Sequence, residues 1–215
     1  MRRPEFLARQ SRCPSGLLGA AVGRIMAHET ARENAAAVDL LNLQATDHVL
    51  EVGFGHGRTL AGIAARAPSG FIAGVDASSD MLRLATRVNR NAIAHGLLEL
   101  KHADSQTLPF PSHRFDKLLS VHTLYFWKHP IIEFREFRRV LRDGGKLVLG
   151  FKPKDQRTEA EFPAGVYTFR TVEEVCRLLS DSDFSQVAAT EFRSARRVIT
   201  LVTARAGLAP AVITS

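Results

Sequence analysis

Short apolar runs alternate with longer stretches in which apolar residues recur every three or four positions. A short buried run is typical of a strand in a parallel sheet, whereas a period of three to four residues is typical of a helix. The pattern predicts strands at 48–52, 71–75, 98–102, 115–121 and 146–151, and helices at 26–43, 58–67, 81–88 and 130–141. Because strands and helices alternate, we expect an α/β fold in which helices cover both faces of a parallel sheet.

The last third of the chain departs from this alternation. A predicted loop at 152–165 precedes a helix at 172–179, and two strand-like runs follow at 187–192 and 198–203. A parallel crossover needs about a dozen residues, so the short connection between these runs predicts an antiparallel hairpin. The complete sheet is then expected to be seven-stranded and mostly parallel. Residues 205–215 show no period and are expected to form a frayed tail.

The composition fits one globular domain, with 215 residues of which 45% are apolar and 24% are charged. No run approaches the roughly 20 apolar residues that span a bilayer. The opening MRRPEFLARQ carries charges around its apolar residues, which argues against a secretory signal and leads us to expect a cytoplasmic protein. Cys13 and Cys176 belong to no Cys-x-x-Cys or Cys/His cluster, so we expect neither a disulfide nor a metal site.

The net charge of +7 bears on partners rather than on the fold. Such an excess can attract nucleic acid, an anionic membrane surface or an acidic small molecule. The basic residues gather in three separate groups, at 2–12, 135–142 and 193–197, and never in an unbroken run. This distribution favours a solvated basic surface. Because no basic run is interleaved with aromatic residues, the sequence argues against nucleic acid as a partner.

The segment VLEVGFGHG joins the first predicted strand to the next helix and places Gly53, Gly55 and Gly57 at alternate positions. A phosphate-binding P-loop needs Gly-Lys followed by Ser or Thr, whereas Arg58 follows the third glycine here. A dinucleotide fingerprint would instead need a glycine at position 58. Glu51, at the end of the strand, is unfavourable beside a pyrophosphate and favourable beside a cation. The loop is therefore predicted to hold a ligand that is positive near Glu51.

Two further acids follow the next two predicted strands. Asp76 ends the second strand, where a carboxylate can accept both hydroxyls of a ribose. Asp104 comes just after the third strand, where it could accept from an exocyclic amine such as that of adenine. Ligands of open α/β sheets bind at this edge of the sheet. Together with the glycine loop, the three acids predict a pocket for an adenosine that bears a cationic tail.

Four segments, in this order and spacing, resemble the motifs of the class I S-adenosylmethionine-dependent methyltransferases: VLEVGFGHG, GVDASSDMLRLA, HADSQTLPFPSHRFDKLLSVHTLYFW and EFRRVLRDGGKLVLGF. The resemblance covers about 45–152, and the closing hairpin is similar to the reversed strand of that family. It implies a Rossmann-like fold over 45–204, S-adenosylmethionine as cofactor and S-adenosylhomocysteine as product. Asp143 stands where the family usually has a proline, and SDSDF at 180–184 lacks a common glycine; both departures concern turns.

The same resemblance implies roles for individual residues. Glu51 would orient the methionine ammonium, Asp76 would bind the ribose, and Asp104 with Ser105 would read the adenine edge. The backbone of the glycine loop would lie against the cofactor, and nearby side chains would line its site. The residues so implied as cofactor-binding are Glu51, Gly53, Phe54, Gly55, Gly57, Asp76, Ala77, Met81, Asp104, Ser105 and Val121.

Methyl transfer needs few catalytic residues because a methyl sulfonium is already activated. The protein must mainly align the acceptor and remove its proton. The segment SVHTLYFW after the fourth strand offers His122 as a base near neutral pH and Tyr125 as a group that positions an acceptor. The alternative is that His122 is a wall residue and that the aromatic residues belong to the core. SVHT also stands where an NPPY-like signature would indicate methylation of an amino group or nucleobase, which makes base nitrogens less favoured acceptors.

Residues 1–44 are expected to form a helical cap over the acceptor site, with Leu17, Leu18, Val22, Ile25 and Met26 at helical intervals; an additional packing helix is the alternative. The main prediction is methyl transfer to a small organic acceptor. A basic amphipathic start could also touch an anionic membrane, and this segment loosely resembles bacterial proteins grouped with phosphatidylethanolamine methyltransferases, so methylation of a phospholipid head group is one alternative. A non-catalytic RNA-associated protein with the same fold is the other.

Overall fold

The computed structural model describes residues 4–12, 29–194 and 197–207. Its centre is one seven-stranded sheet in the order β3-β2-β1-β4-β5-β7-β6. The strands are β1 His48–Val52, β2 Phe71–Asp76, β3 Leu98–His102, β4 Phe115–Val121, β5 Leu141–Phe151, β6 Phe184–Ser194 and β7 Arg197–Ala206. Strand β7 is antiparallel to both of its neighbours, and the remaining pairs are parallel. The predicted mostly parallel sheet and its closing hairpin are confirmed.

Of the described helices, two precede β1, and the others lie in the connections between the strands. They are α1 Glu5–Arg12, α2 Ala31–Leu41, α3 Arg58–Arg66, α4 Ser79–Val88, α5 Arg90–Ala94, α6 Pro130–Val140, α7 Gln156–Glu161 and α8 Val172–Ser180, with a 3₁₀ turn at Leu124–Phe126. The sequence explains several helix starts. The side chain of Ser78 accepts a hydrogen bond from the N–H of Met81, and Pro130 occupies the first turn of α6, where its missing N–H costs nothing.

Apolar side chains pack on both faces of the sheet. Consecutive residues of β4 point to opposite faces, so that Leu118 belongs to one hydrophobic cluster and Leu119 to the other. Helices α6 and α8 cover the face of Leu118, where Phe137 is fully buried. Helices α2, α3 and α4 cover the opposite face, where Leu41 is fully buried. The expected helices on both faces are confirmed, and the sheet edge where β1 to β4 end remains open between the two layers.

Several elements differ from the prediction. The helix predicted at 130–141 ends at Val140, and the strand predicted at 146–151 already begins at Leu141, so that Gly144 and Gly145 lie in β5. Between the pairs Phe115–Leu141 and Lys117–Lys146 the register shifts, and this irregularity takes up the extra residues of β5. The predicted loop at 152–165 contains the short helix α7, which starts at a capping box formed by Asp155 and Thr158. Short helix α5 was not predicted either.

The ends of the predicted domain also need correction. Strand β7 reaches Ala206, so Arg205 and Ala206 pair in the sheet instead of belonging to the expected tail. Helix α2 packs on β4 and β5 and buries Ala37, Val38 and Leu41, so this part of the expected cap covers the sheet itself. The apolar positions Leu17 to Met26 of the predicted cap lie outside the described residues. Among the residues that the structure describes, no helix is long and apolar enough to cross a membrane.

Candidate functional site

A cavity of about 300 Å³ lies at the carboxyl ends of β1, β2, β3 and β4. This volume is at the lower end of the usual range for small-molecule sites. The structure brings most of the predicted site residues together around it. Those that line the cavity are Glu51, Gly53, Phe54, Gly55, Asp76, Ala77, Met81, Asp104, Ser105, Val121 and His122. Gly57 and Tyr125 do not line it.

At two of its three glycines the glycine loop approaches its neighbours so closely that a side chain would not fit. Gly53, Gly55 and Gly57 all have positive φ angles, of 80°, 54° and 77°. A Cβ on Gly53 would lie 2.2 Å from Cγ2 of Thr123. A Cβ on Gly57 would lie 2.7 Å from Cβ of Ala85, in helix α4. Gly57 therefore lets α3 begin against α4, and only the first two glycines face the cavity.

Asp76 is fixed by two backbone hydrogen bonds. The N–H of Gly55 donates to Oδ2 over 2.8 Å, and the N–H of Ser78 donates to Oδ1 over 2.8 Å. Burial raises the pKa of the Asp76 carboxyl, and these two hydrogen bonds oppose that shift. Each carboxylate oxygen has a second lone pair, so Asp76 can still accept hydrogen bonds from a pair of adjacent hydroxyls.

Glu51 is buried at the floor of the cavity with one oxygen unsatisfied. Its side chain comes from β1, and within the described part of the chain its Oε2 has no hydrogen-bond partner. Burial raises the pKa of Glu51 well above its ordinary value, and the charge of nearby Asp76 adds to the shift. A buried carboxylate is unfavourable unless a cation or a donor meets it. An ammonium group is such a partner, so this residue fits the predicted cofactor.

Asp104, like Glu51 and Asp76, lies near the carboxyl end of a strand at the cavity. Hydrogen bonds through Gln106 connect it to a second acid, Glu133, which the sequence did not indicate as a site residue. The N–H of Gln106 donates to Oδ1 of Asp104 over 2.9 Å, and the side-chain amide of Gln106 donates to Oε1 of Glu133 over 3.0 Å. Glu133 is buried, lines the cavity and has no partner for Oε2 among the described residues. Burial raises its pKa. In the sequence Glu133 looks like an ordinary first-turn acid of α6, and no local signal marks it as buried.

His122 is held between two other side chains. Its Nδ1 lies 2.5 Å from the hydroxyl of Tyr125, and its Nε2 lies 2.5 Å from Oε2 of Glu33. The backbone of His122 has a φ of 63° and its N–H donates to the carbonyl of Gly150 over 2.7 Å. The two predicted catalytic candidates therefore form one hydrogen-bonded unit. Glu33 completes the unit, and sequence reasoning missed it because 89 positions separate it from His122.

The N-terminal helices reach the cavity on the side of His122. Ser11 and Arg12 of α1, and Thr30 and Asn34 at the start of α2, line it. The cavity is also lined by Phe126, Trp127 and Lys128, from the segment after β4. Part of the expected cap thus does lie beside the site. Among the described residues no group of His, Cys, Asp or Glu side chains is arranged to hold a metal ion.

Comparison with known proteins identifies the family. A family model described as "Methyltransferase domain" matches residues 50–149. The methyltransferase YdaC of Bacillus subtilis, whose function is uncharacterised, is 29% identical over 139 residues, which cover 65% of this chain and 75% of YdaC. The fatty-acid O-methyltransferase of Mycolicibacterium smegmatis is 37% identical over 97 residues, 45% of this chain and 34% of that protein.

Solved structures agree on the fold. A chain from the complex that contains the Haloferax volcanii Trm112 methyltransferase activator superposes with a TM-score of 0.76 at 16% identity, covering 97% of this chain and 100% of the other. A SAM-dependent methyltransferase from Aquifex aeolicus gives a TM-score of 0.65 at 18% identity, covering 80% and 88%. The matched segment, the strand order and the cavity at the predicted edge agree with one another. Residues 50–149 are therefore a methyltransferase domain of the class I S-adenosylmethionine-dependent type, whose cofactor is S-adenosylmethionine.

Proposed function

We propose that the protein transfers a methyl group from S-adenosylmethionine to a small organic acceptor in the cavity at the carboxyl ends of β1 to β4. The observation that carries this proposal is the unsatisfied Oε2 of the buried Glu51, two positions before Gly53, where a Cβ would overlap Thr123. A cationic group fits that oxygen. The neighbouring Asp76, which the loop itself holds in place, supplies acceptors for hydroxyls.

Each part of the cofactor has a candidate partner in this chain. Glu51 would accept hydrogen bonds from the ammonium group, and Asp76 would accept from the ribose hydroxyls. Asp104 would accept from the adenine amine, with Ser105 beside it. The remaining predicted residues that line the cavity would contribute backbone or apolar wall, namely Gly53, Phe54, Gly55, Ala77, Met81 and Val121. Gly57 would act only indirectly, through the start of α3. The cofactor, when bound, supplies a methyl group already activated by a positively charged sulfur.

The acceptor would bind on the side of His122. Glu33 of α2 contacts His122, and helices α1 and α2 also contribute Ser11, Arg12 and Asn34 to the cavity lining. A concave site of about 300 Å³ suits a small molecule better than a large one. The protein must then align the acceptor with the bond between sulfur and the methyl carbon and take up any proton that the acceptor loses. His122 lines the cavity and is the candidate base, and Tyr125 holds its imidazole.

Calorimetric titration with S-adenosylmethionine and S-adenosylhomocysteine tests the cofactor. We expect micromolar binding by the unmodified protein. Asp76→Ala should weaken it by about 10- to 100-fold, because hydrogen bonds to a charged group contribute about 1.5–3 kcal/mol. Asp76→Asn, which keeps the shape of the side chain, should also weaken binding. Asp80→Ala removes an acid four positions further on that does not line the cavity, and it should bind as the unmodified protein does.

The outcome of this titration decides between the proposal and its rivals. A folded protein that binds neither ligand would refute the cofactor assignment to this cavity. A salt-sensitive shift of RNA without methyl transfer would favour the RNA-associated alternative, because phosphate contacts weaken steeply as salt rises. Binding of anionic vesicles together with methylation of their head-group amines would replace the small-molecule acceptor with a lipid.

A further inference from the structure

Glu33 is a buried acid that the assigned cofactor site does not use. It lies in the first turn of α2 with 1% of its surface exposed, and its Oε2 contacts Nε2 of His122. In the described part of the chain its Oε1 has no hydrogen-bond partner. Within the described residues Glu33 pairs with the imidazole of His122, and His122 lines the cavity. The buried carboxylate therefore acts on the cavity through the imidazole.

The protonation of the imidazole follows from its two partners. A carboxylate can only accept hydrogen bonds, so Nε2 of His122 carries a proton and donates it to Glu33. In the neutral ring Nδ1 then has a free lone pair, which accepts from the hydroxyl of Tyr125. If Nδ1 gains a proton, it can donate to the same phenol oxygen, because a hydroxyl both donates and accepts. The arrangement is thus satisfied with and without the extra proton.

Two features of this unit are unfavourable for folding alone. A histidine at a φ of 63° adopts a conformation that costs about 1 kcal/mol or more for residues other than glycine. A buried carboxylate with an unsatisfied oxygen is also destabilising relative to an apolar contact in the same place. Such unfavourable features concentrate where a side chain must be held for chemistry. Here both act on the orientation of one imidazole at the cavity wall.

We propose that Glu33 is a positioning residue that fixes the tautomer of His122 and stabilises the imidazolium formed when His122 takes a proton from the methyl acceptor. This inference rests on the proposed function and names the class of acceptor, a nucleophile that gives up a proton when it is methylated: a hydroxyl, a thiol or a primary or secondary amine. A carboxylate acceptor has no proton to lose at neutral pH and needs no base.

The proposed reaction transfers one methyl group to the acceptor and one proton to His122. The acceptor takes the place of the Tyr125 hydroxyl as donor to Nδ1 of His122. Its nucleophilic atom bonds to the methyl carbon, the bond between that carbon and sulfur breaks with its electron pair going to sulfur, and the proton of the acceptor passes to Nδ1. The imidazolium remains paired with Glu33 until it releases the proton to water. Tyr125 occupies Nδ1 whenever no acceptor is bound.

Nitrogen NMR of histidine-labelled protein tests the positioning role without an acceptor. His122→Asn identifies the His122 signals by their loss. At a pH where the ring is neutral, we expect the unmodified protein to show His122 protonated at Nε2 alone. Glu33→Gln should give a mixture of tautomers, because an amide can both donate and accept. Asp39→Asn, which removes an exposed acid from the same helix, should leave the tautomer unchanged. A fixed tautomer in Glu33→Gln would overturn the positioning role.

Transfer of a labelled methyl group from S-adenosylmethionine tests the acceptor class. The panel contains a phenol, an aliphatic alcohol, a thiol, a primary amine and a carboxylic acid. We expect transfer to at least one of the first four. In Glu33→Gln the kcat should fall by up to about 10²-fold, and in Glu33→Asp it should partly recover. The KM for S-adenosylmethionine should not change, and Asp39→Asn should behave as the unmodified protein does.

The possible failures are distinguishable. If the unmodified protein does not bind S-adenosylmethionine, the proposed function itself is contradicted. Cofactor binding with transfer only to the carboxylic acid, or to no member of the panel, overturns the acceptor class. Transfer to a protic acceptor at equal kcat in Glu33→Gln and Asp39→Asn overturns the role of Glu33 and leaves the methyltransferase assignment in place.

Discussion

The buried acids of this protein differ in what satisfies them. Asp76 accepts two backbone hydrogen bonds, and Glu33 contacts an imidazole. Glu51 and Glu133 each keep an oxygen without a partner among the described residues. An acid whose oxygens all accept hydrogen bonds stabilises the folded state. An acid with an unsatisfied oxygen destabilises it, and a bound donor or cation can remove that destabilisation. Glu33 also keeps one unsatisfied oxygen, but of the described residues Glu51 and Glu133 are the two such acids that line the cavity. Their ionisation should therefore respond to a bound ligand.

Glu51→Gln should change how stability depends on pH. In the unfolded chain Glu51 ionises near its ordinary pKa of 4.5, and in the folded chain it holds its proton to a higher pH. Between these two pKa values the native state binds more protons than the unfolded state, so the free energy of unfolding falls as the pH rises. In Glu51→Gln this side chain does not ionise, so the free energy of unfolding does not fall for this reason. We expect its stability advantage over the unmodified protein to grow through this window and then stay constant.

Urea unfolding without cofactor, measured from about pH 4 to pH 8, checks this expectation. Affinity for S-adenosylmethionine should move in the opposite sense. The ammonium group favours the charged carboxylate, so the affinity of the unmodified protein should rise with pH through the same window, and that of Glu51→Gln should not. A difference in unfolding free energy that stays constant over the whole pH range would contradict the shifted pKa.

At the scale of elements, the loop between β1 and α3 does two separate jobs. Gly53 and Gly55 line the cavity, and Gly57 allows α3 to start against α4. The side-chain amide of Asn89, just after α4, donates to the carbonyl of Gly57 over 2.9 Å and so joins the loop to that helix. A change at the third glycine should therefore disturb helix packing more than it disturbs the cavity wall.

Gly57→Ala is expected to destabilise the fold by about 2–5 kcal/mol, since it combines a left-handed backbone with a Cβ that overlaps Ala85. Gly55→Ala is the matched variant, because its backbone is also left-handed but its Cβ would meet nothing within 4 Å. It should cost only about 1–2 kcal/mol. Chemical denaturation of both variants measures the difference. Equal losses would show that the contact with α4 contributes nothing.

The elements that sequence patterns predicted are those with a repeating apolar face. All seven strands were predicted because each contains a short apolar run in the sequence, although β6 is largely exposed in the structure. Helix α7 was missed because its sequence, QRTEAE, carries no apolar stripe, and its start depends on the capping box of Asp155 and Thr158. The cavity acids at strand ends could be predicted from position alone. Glu33 could not, because its role depends on a contact across the fold.

At the scale of the whole molecule, charge is distributed unevenly between surface and cavity. The chain carries a net charge of +7, yet Glu51, Asp76, Asp104 and Glu133 line the cavity. Solvent and salt screen the surface charges beyond about 8–10 Å, whereas the acids that line the cavity act on a bound ligand at close range. A cationic ligand is therefore favoured inside the cavity despite the positive charge of the protein as a whole.

Helix α2 shows how the N-terminal region supports the whole fold. Leu41 is fully buried in the cluster that covers β4 and β5, and we expect Leu41→Ala to lower the free energy of unfolding by about 2–5 kcal/mol. Ile132 in α6 is 42% exposed, and Ile132→Ala should cost about 0.5 kcal/mol or less. Denaturant unfolding measures both. A loss below about 1 kcal/mol for Leu41→Ala would indicate that α2 is a detachable cap.

The position of β7 between β5 and β6 has a consequence for synthesis. Strand β6 emerges from the ribosome before β7, but in the described sheet it pairs with β7 alone. Until β7 has been made, β6 has no partner and one edge of β5 stays open, and open strand edges are sites of aggregation in newly made chains. The cavity is built from β1 to β4, which are complete much earlier. A nascent chain can therefore form β1 to β4, which carry the cavity, before β7 is available to complete the other side of the sheet.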